Sequence, residues 1–367
     1  MNYYTIGRTG LKVSQLALGT MTFGTEWGWG AEERGARELY SMAREHGINF
    51  FDTANIYTGG TSEEWLGRFV NESGDRDKTV IATKYSLNTD GDPNTGGNSR
   101  KNMIASVEAS LKRMDTDYID LFYLHVWDHM TPADEVMRAF DDLTSAGKIR
   151  YAGLSDVPAW YASRAATLAE LRGWQNIAAI QLQYSLIERN LEYEFTDLCS
   201  ELGAGLVAWG PLGGGLLSGK YKPSSGRQPD DAGRLATVQD VGAPVFQKFT
   251  DRNWKIIEAL EAVAKELGED MATVALNWVV NRPSISSILL GASKPEQLRS
   301  NLRALAIEIP NDLKLQLDEV SALEERFPYS FFGPSVQEMV SGGKTVGQKP
   351  PHYQKEILFA ATGKPAW

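Results

Sequence analysis

Short apolar runs alternate with helix-like segments along most of this 367-residue chain. The pattern predicts eight strands, at residues 16–20, 48–52, 79–83, 118–124, 149–154, 178–182, 205–209 and 285–289. No hairpin signal separates one run from the next, and strands that alternate with helices imply parallel pairing through right-handed crossovers. Eight such units close a barrel, so we predict an α/β fold, a (β/α)8 TIM barrel.

An open, doubly wound parallel sheet is the alternative architecture. Its dinucleotide-binding form carries the pattern G-x-G-x-x-G after the first strand. The segment that follows the first predicted strand here, Gly19-Thr20-Met21-Thr22-Phe23-Gly24, does not match that pattern. The barrel is therefore the favoured fold.

Three segments lie outside the repeat. Residues 3–15 alternate weakly around Arg8-Thr9-Gly10 and predict a β-hairpin that caps one end of the barrel. The stretch 213–250, after strand 7, is rich in Gly, Pro, Ser and Asp and too long for an ordinary connection, which predicts a functional lid or a partly mobile segment. No linker divides the chain, so we predict a single barrel domain over residues 1–323 and an aromatic C-terminal tail, residues 324–367, that packs on it.

Composition and charge narrow the classes of function. The formal net charge of −10 argues against non-specific binding to nucleic acid or to an anionic membrane surface. The single cysteine, Cys199, excludes an intramolecular disulfide and is expected to be a small buried residue on a helix. No apolar run is long enough to span a membrane, and the N-terminus lacks a signal pattern. We expect a cytoplasmic protein that binds neither nucleic acid nor membrane; the sequence is compatible with a homo-oligomer.

Polar or aromatic side chains stand at six successive predicted strand ends: Asp52, Lys84, His125, Ser155, Gln181 and Trp209. Active sites of (β/α)8 barrels lie at the C-terminal ends of the strands, so these side chains are expected to share one rim. Each alone has a purely structural explanation, since Asp52 could cap a turn, His125 could be a buried histidine and Lys84 could reach solvent. Their occurrence on one rim favours a functional site.

Tyr57, five residues beyond Asp52, completes a set suited to carbonyl reduction. Hydride transfer to a carbonyl requires a proton for the developing alkoxide, and tyrosine, with a pKa of about 10, is a poor acid near neutrality. A nearby ammonium lowers that pKa, and Lys84, held by Asp52, can provide it. His125 can donate a hydrogen bond to the substrate oxygen or assist the proton transfer.

These four residues resemble the catalytic tetrad of the aldo-keto reductases. Four further segments resemble the cofactor motifs of that family, in the same order: Gly153-Leu154-Ser155, Gln181 to Ser185, Trp209 to Lys220 and Gly291 to Leu298. The resemblance extends from the hairpin to about Leu305. The long 213–250 segment is similar to that of bacterial members and of the potassium-channel β-subunits.

The resemblance implies an NAD(P)H-dependent oxidoreductase that reversibly reduces an aldehyde or ketone to an alcohol. It implies that Ser155 and Gln181 hold the nicotinamide carboxamide, that Trp209 stacks on the ring and that Lys220 contacts the pyrophosphate. The expected cofactor-binding residues are Thr20, Met21, Asp52, Ser155, Asp156, Gln181, Trp209, Gly210, Pro211, Leu212, Gly213, Lys220, Arg234, Gly291, Ser293, Lys294, Gln297 and Asn301. Asp156 and Ser300 depart from the family pattern, in which many relatives have Asn or Arg at the first position and an acidic residue at the second.

Lys294 implies NADPH rather than NADH, because it occupies the position that meets the 2′-phosphate in similar proteins. The alternative is that Lys294 only starts the last barrel helix and points to solvent. For the substrate, Trp27, Trp29 and Trp127 are expected to join Tyr57 and His125 around an apolar mouth for a bulky carbonyl compound. The alternative is that these aromatic residues only pack loops onto the barrel.

Two other functions are alternatives to carbonyl reduction. A cofactor-binding regulatory subunit with little turnover is the first, because channel β-subunits share these motifs; they carry Asn where this chain has His125, which favours an enzyme. A metal-dependent barrel hydrolase is the second, but the four histidines, at 46, 125, 129 and 352, form no convincing ligand cluster. We therefore predict no metal.

Overall fold

A computed structural model describes residues 1–221 and 247–344. Its strands are β1 (Tyr3–Thr5), β2 (Lys12–Ser14), β3 (Leu16–Gly19), β4 (Phe50–Asp52), β5 (Val80–Tyr85), β6 (Ile119–Leu124), β7 (Ile149–Ser155), β8 (Ile177–Gln183), β9 (Gly205–Trp209) and β10 (Ile285–Gly291). The strands β3 to β10 form a closed parallel barrel in chain order, with β10 paired to β3. The predicted (β/α)8 barrel is confirmed.

Helices surround the barrel on its outer side. The described helices are α1 (Glu33–Glu45), α2 (Thr61–Ser73), α3 (Arg100–Met114), α4 (Ala133–Ser145), α5 (Ala159–Arg172), α6 (Phe195–Leu202), α7 (Asp251–Leu267), α8 (Met271–Val280), α9 (Pro295–Leu302), α10 (Asn311–Val320) and α11 (Pro334–Val340). Several of them follow strands directly, and the apolar face of each such helix covers the sheet. No described helix is long and apolar enough to cross a membrane.

Successive side chains of each strand point alternately into the barrel and toward the helices, as the two-residue period of a strand requires. In β4, Phe50 belongs to the cluster that fills the barrel, whereas Phe51 packs against helices. In β6, Leu121 and Tyr123 fill the barrel and Phe122 packs outside. The apolar runs in the sequence are continuous because both faces of these strands are buried.

The N-terminal hairpin closes the end of the barrel where the strands begin. The strands β1 and β2 pair antiparallel, and Ile6 between them is fully buried. The Arg8 N–H donates to the Gly203 carbonyl, just before β9, at 2.7 Å. Gly7 has a φ of +53°, and an added Cβ would lie 2.3 Å from that carbonyl, so this contact requires glycine. The predicted cap is confirmed, on the face opposite the polar strand ends.

Some predicted boundaries were wrong. Strand β4 begins at Phe50 rather than Ile48, because the Asn49 side chain accepts a hydrogen bond from the Ser14 N–H at 2.7 Å and ties the hairpin to the barrel. Pro132 is the N-cap of α4, since its ψ of 148° is extended. A 3-10 turn, Asn190–Tyr193, precedes α6.

The segments outside the repeat are described in part. The predicted lid opens with a 3-10 turn at Gly213–Ser218, and residues 222–246 lie outside the described residues. In the tail, the Glu324 carbonyl accepts a hydrogen bond from the Tyr193 hydroxyl at 2.6 Å, and the ring of Tyr329 stacks on Tyr193 at 4.6 Å. Residues 345–367 also lie outside the described residues, so the limits of the domain stay a prediction.

The single cysteine lies where the sequence predicts it. Cys199 is buried on α6, and burial raises the pKa of its thiol to about 12. A thiol with so high a pKa is almost entirely protonated near neutrality, so it is a poor nucleophile.

Candidate active site

The polar strand ends continue the rows of side chains that fill the barrel. Phe50, Ala82, Tyr123, Ala179 and Val207 all belong to the interior cluster. Two residues after each of them stands a predicted site residue, namely Asp52, Lys84, His125, Gln181 and Trp209. Because strand side chains repeat every two residues, the fold turns all five toward the barrel axis at its C-terminal rim.

Lys84 and Asp52 form a buried ion pair at the centre of this rim. Lys84 Nζ also donates to the Thr53 carbonyl at 2.8 Å and to the Tyr57 hydroxyl at 3.4 Å. Burial opposes the charge of Lys84, but Asp52 and Tyr57 together raise its pKa above the usual value. Burial raises the pKa of Asp52, although the charge of Lys84 and the hydrogen bonds from Lys84 and Gln181 act to lower it. We take Asp52 to be ionised, because its protonation would leave the ammonium buried without a counter-charge.

Tyr57 reaches the rim from the 3-10 turn Tyr57–Gly60, directly after the loop that leaves β4. Its ring lies edge-on to that of His125, with centroids 5.9 Å apart. Burial, and then the positive charge of Lys84, lower the pKa of His125 to about 3. The imidazole is therefore neutral near pH 7, and its Nδ1 atom is buried with no hydrogen-bond partner among the described residues.

Gln181 and Ser155 lie beside this group on the adjacent strands β8 and β7. Gln181 Nε2 donates to Asp52 Oδ2 at 2.8 Å, which gives the second carboxylate oxygen a partner. Ser155 is fully buried, and its Oγ atom has no hydrogen-bond partner within the part of the chain that the structure describes. A buried hydroxyl without a partner is costly, so a ligand that bonds to Ser155 would be stabilised.

Trp209, at the end of β9, is held by the residue that follows Ser155. Its Nε1–H donates to Asp156 Oδ1 at 3.1 Å. Burial raises the pKa of the Asp156 carboxyl to about 6, although the hydrogen bond from Trp209 opposes this. The indole plane and the carboxylate therefore share one wall of the site.

A cleft of about 1540 Å³ opens above the rim and runs outward to α7, α8 and α9. We call the part at the strand ends the inner end and the part on these helices the outer end. Most of the predicted site residues line it: Met21, Trp27, Trp29, Asp52, Tyr57, His125, Ser155, Asp156, Gln181, Trp209, Gly210, Pro211, Leu212, Lys220, Gly291, Ser293, Lys294, Gln297 and Asn301.

Four predicted residues in the described part of the chain do not line the cleft. Lys84 lies beneath Tyr57 and Asp52, fully buried. Thr20 is also buried, where its hydroxyl donates to the Asp52 carbonyl at 3.0 Å. Gly213 packs against Ile187, with an added Cβ only 2.5 Å from that side chain. Trp127 is the fourth; Arg234 lies outside the described residues.

Trp127 belongs to an aromatic group on the outside of the rim. Its ring lies 3.8 Å from that of His129 and edge-on to that of Trp160 at 5.5 Å. These residues line a separate, smaller pocket. By contrast, Trp27 contacts Tyr57 edge-on, with centroids 6.2 Å apart, and lines the cleft.

The outer end contains residues that strand-end reasoning missed. Glu261 and Lys265 on α7, with Glu269 and Asp270 between α7 and α8, line this part of the cleft. They stand on helices and their connection, so no strand-end position marked them. Asp270 accepts a hydrogen bond from the Ser300 hydroxyl at 3.2 Å. An acidic group therefore faces Ser300 from the connection between α7 and α8.

The start of α9 forms the remaining wall of the outer end. Lys294 is its exposed N-cap, and Pro295 is its first residue. Gln297 Oε1 accepts from the Ser293 N–H at 2.8 Å and from the Ser293 hydroxyl at 3.3 Å. Lys294 and Gln297 both line the cleft, and the bonds from Ser293 to Gln297 fix the turn that carries the Lys294 ammonium.

Comparison with known proteins agrees with this geometry. The sequence profile of the aldo/keto reductase family matches residues 15–322. The chain belongs to this family. It is an oxidoreductase enzyme, and its family relatives act on small-molecule carbonyl compounds and alcohols. No group of His, Cys, Asp or Glu side chains among the described residues could hold a metal ion.

Three relatives show the range of the family members that this chain resembles. It is 36% identical over 331 residues to the uncharacterized oxidoreductase YrpG of Bacillus subtilis, across 87% of this chain and 96% of the relative. It is 34% identical to a probable voltage-gated potassium channel subunit beta of rice, across 89% and 98%. It is 32% identical to the aryl-alcohol dehydrogenase, NADP(+), of Phanerodontia chrysosporium, across 88% and 86%.

Proposed function

We propose that this protein catalyses the NADPH-dependent reduction of an aldehyde or ketone to an alcohol, reversibly, with Tyr57 as general acid and base. One observation carries the proposal: the Tyr57 hydroxyl lies 3.4 Å from Lys84 Nζ, within the Asp52–Lys84 group, at the inner end of the cleft. A phenol beside a buried ammonium is the arrangement that a proton donor to an alkoxide requires.

The residues of the cleft fit a nicotinamide dinucleotide. The unpartnered Ser155 hydroxyl and the Gln181 amide suit a carboxamide, and the Trp209 indole offers a flat wall beside them. At Gly215, where φ is +94°, an added Cβ would lie 2.9 Å from Lys220 Cε. The lack of a side chain at Gly215 therefore leaves room for the Lys220 side chain to pack against this turn. Backbone N–H groups of a glycine-rich turn and an adjacent ammonium suit phosphate oxygens. When bound, NADPH supplies the hydride.

The chain's own residues handle the proton and the oxygen. The Lys84 ammonium stabilises the phenolate that Tyr57 becomes as its proton moves to the substrate oxygen. Asp52 fixes the position of the ammonium and balances its charge. His125, neutral at physiological pH, donates a hydrogen bond to the same oxygen and orients the carbonyl. General acid catalysis of this kind contributes roughly 100- to 10,000-fold to the rate.

The residues at the outer end of the cleft support a preference for NADPH over NADH as the cofactor. The 2′-phosphate carries nearly two negative charges, and Lys294 offers an ammonium at the edge of the cleft. The Ser293 hydroxyl lies next to it. The relative from Phanerodontia chrysosporium bears NADP(+) in its name, which is consistent with this preference.

For the substrate we propose a bulky aromatic carbonyl compound. Trp27 and Trp29 line the mouth of the cleft, with ring centroids 5.6 Å apart, and Trp27 contacts Tyr57. Aromatic rings bind flat apolar surfaces by stacking and edge-to-face contacts. The name of the fungal aryl-alcohol relative agrees with this substrate class. Trp127 has no part in this proposal, because it faces the separate pocket.

The test is turnover of a panel of aryl aldehydes, short aliphatic aldehydes and sugars by wild type and Tyr57→Phe, followed by NADPH absorbance. We expect the wild type to prefer the aryl aldehydes and the variant to lose roughly 100- to 10,000-fold in turnover. Tyr118→Phe is the matched control, because Tyr118 packs against Arg76 at the opposite end of the barrel. Near wild-type turnover by Tyr57→Phe would disprove the assignment of the proton donor.

The alternative is a cofactor-binding regulatory subunit with little turnover. The similarity to the rice channel subunit is the observation in its favour. Tight binding of NADPH by wild type together with no reduction of any carbonyl compound in the panel would support it. The cytoplasmic location also stays a prediction.

A further inference from the structure

Asp156 is held in an unusual backbone conformation at the inner end of the cleft. It follows Ser155 at the end of β7 and has a φ of +44°, in the left-handed region that Asp tolerates better than most residues. Its N–H donates to the Gln181 carbonyl at 3.3 Å, and its own carbonyl accepts from the Trp127 N–H at 3.3 Å. These contacts fix the turn and direct the carboxyl group to Trp209.

The carboxylate forms part of the wall where the proposed nicotinamide would lie. Its Oδ1 atom accepts from Trp209 Nε1 at 3.1 Å, and the residue lines the cleft with Ser155 and Gln181. The residue is partly exposed to the cleft, and its pKa, which burial raises to about 6, leaves the carboxyl group mainly ionised at pH 7 and above.

The other described charges at the inner end balance one another. Lys84 and Asp52 are paired, and His125 is neutral near pH 7. Ionised Asp156 therefore adds one negative charge that no described cation at this end pairs with directly. Lys84 acts on it only at a distance, as a charge that lowers its pKa.

NADP⁺ and NADPH differ in charge at the nicotinamide ring alone, which is positive in the oxidised form and neutral in the reduced form. We propose that Asp156 is a specificity residue for the oxidation state of the cofactor: its carboxylate, on the Trp209 wall, strengthens binding of NADP⁺ relative to NADPH. This inference rests on the proposed function. Its consequence is that the bound cofactor is harder to reduce, so that hydride transfer from bound NADPH to a carbonyl compound is favoured more than it would be at an uncharged site.

The same carboxylate also positions the Trp209 ring, and the two roles can be separated. Asp156→Asn keeps an oxygen that can accept from Trp209 Nε1 and removes the charge. Solvent and salt screen the attraction between unit charges at a partly solvated site, and we expect the ratio of the NADP⁺ and NADPH dissociation constants to change about tenfold.

The experiment measures both dissociation constants by calorimetry for wild type and Asp156→Asn. We expect NADP⁺ to bind about tenfold more weakly to the variant while NADPH binding changes less than about twofold. Glu261→Gln is the matched control, because it removes a negative charge from the outer end, where the two forms of the cofactor are identical. It should change both constants by the same factor.

A pH series on the wild type gives a second reading that does not depend on the folding of a variant. As the pH falls from 8 to 5, Asp156 becomes protonated, so the preference for NADP⁺ should weaken around pH 6. The other titratable groups that face this end are Asp52, Tyr57, Lys84 and His125, and all of them remain in Asp156→Asn. We expect the ratio in that variant to be flat over the same range, which would assign the change seen in the wild type to Asp156.

An unchanged ratio in Asp156→Asn, or a wild-type ratio that is flat through pH 6, would overturn this proposal and leave the proposed reductase function intact. If wild type bound neither form of the cofactor, both would be overturned together. Equal weakening of NADP⁺ and NADPH in Asp156→Asn would show that Asp156 acts only by positioning Trp209, and would likewise overturn the role of its charge.

Discussion

The inner and outer ends of the cleft are built in different ways. At the inner end, Asp52 and Lys84 are fully buried, sit on adjacent strands and form a hydrogen-bonded group with Gln181. At the outer end, Lys294 and Gln297 are exposed; Lys294 is the N-cap of α9, and Gln297 lies in its first turn. The strands hold the first set rigidly, whereas solvent surrounds much of the second.

This difference suggests that the inner end serves the reaction and the outer end serves cofactor binding. A buried ion pair is costly to disturb, so the inner end can keep a phenol and an ammonium in one geometry through the reaction. An exposed ammonium contributes modestly to binding and tolerates change. We therefore expect changes at the inner end to affect turnover and folding stability, and changes at the outer end to affect cofactor affinity alone.

The largest effect is expected from Lys84→Met. The substitution leaves the Asp52 carboxylate buried without its partner, which should lower the free energy of unfolding by about 3–5 kcal/mol. Turnover should also fall by roughly 100- to 10,000-fold, because Tyr57 loses the ammonium beside it. Urea unfolding and steady-state kinetics measure the two effects separately.

Lys78→Met is the control for Lys84→Met. Lys78 is 76% exposed and, among the described residues, pairs only with Asp75 at 3.6 Å, before β5 and at the far end of the barrel from the cleft. It should change stability by less than about 1 kcal/mol and leave turnover intact. Similar losses in the two variants would remove the distinction between buried and exposed charges.

An intermediate effect is expected from the pH dependence of stability at His125. The unfolded imidazole binds a proton below a pH of about 6.5, whereas burial and Lys84 lower the pKa of the folded one to about 3. Between these values the unfolded state binds more protons, so stability falls as the pH falls, by up to about 1.4 kcal/mol per pH unit before discounting for partial exposure. Above pH 6.5 this contribution is constant.

Thermal or urea unfolding of His125→Asn across pH 3–7 isolates this contribution from that of the carboxyl groups. The variant should lose less stability than wild type as the pH falls. His46→Gln is the control, because the His46 ring is exposed and, within the part of the chain that the structure describes, bonds only to the Met42 carbonyl, at 2.8 Å. A His125→Asn profile parallel to that of wild type would contradict the lowered pKa.

The smallest effect is expected from Lys294→Ala at the outer end. NADPH affinity should fall about ten- to hundredfold through loss of a charge-assisted hydrogen bond, while NADH affinity stays constant. Arg299→Ala, on the same helix but not lining the cleft, is the control. Equal dissociation constants for the two cofactors, unchanged in Lys294→Ala, would mean that Lys294 only begins the helix.

Much of the fold and of the inner end could be predicted from the sequence. Apolar runs between helical segments predict the barrel, and the polar residues at the ends of these runs mark Asp52, Lys84 and His125 as site residues. The reason is geometric: parallel strands bring their C-terminal ends to one rim, and the two-residue period turns these side chains inward.

Other parts could not be predicted, because they depend on contacts between distant segments. Strand β4 starts late because Asn49 bonds to the hairpin, which no local pattern announces. Glu269 and Asp270 line the cleft through the packing of α7 and α8. Trp127 resembled Trp27 in the sequence as an aromatic loop residue, yet it packs with His129 outside the rim.

The most direct test of the division between the two ends measures turnover and the NADPH dissociation constant on the same samples of Tyr57→Phe and Lys294→Ala. We predict that Tyr57→Phe loses turnover by roughly 100-fold or more with its dissociation constant within about twofold of wild type. We predict the opposite for Lys294→Ala, with affinity lost and turnover at saturating NADPH retained. Wild-type turnover by Tyr57→Phe, or equal losses of affinity and turnover in both variants, would contradict the division between the two ends.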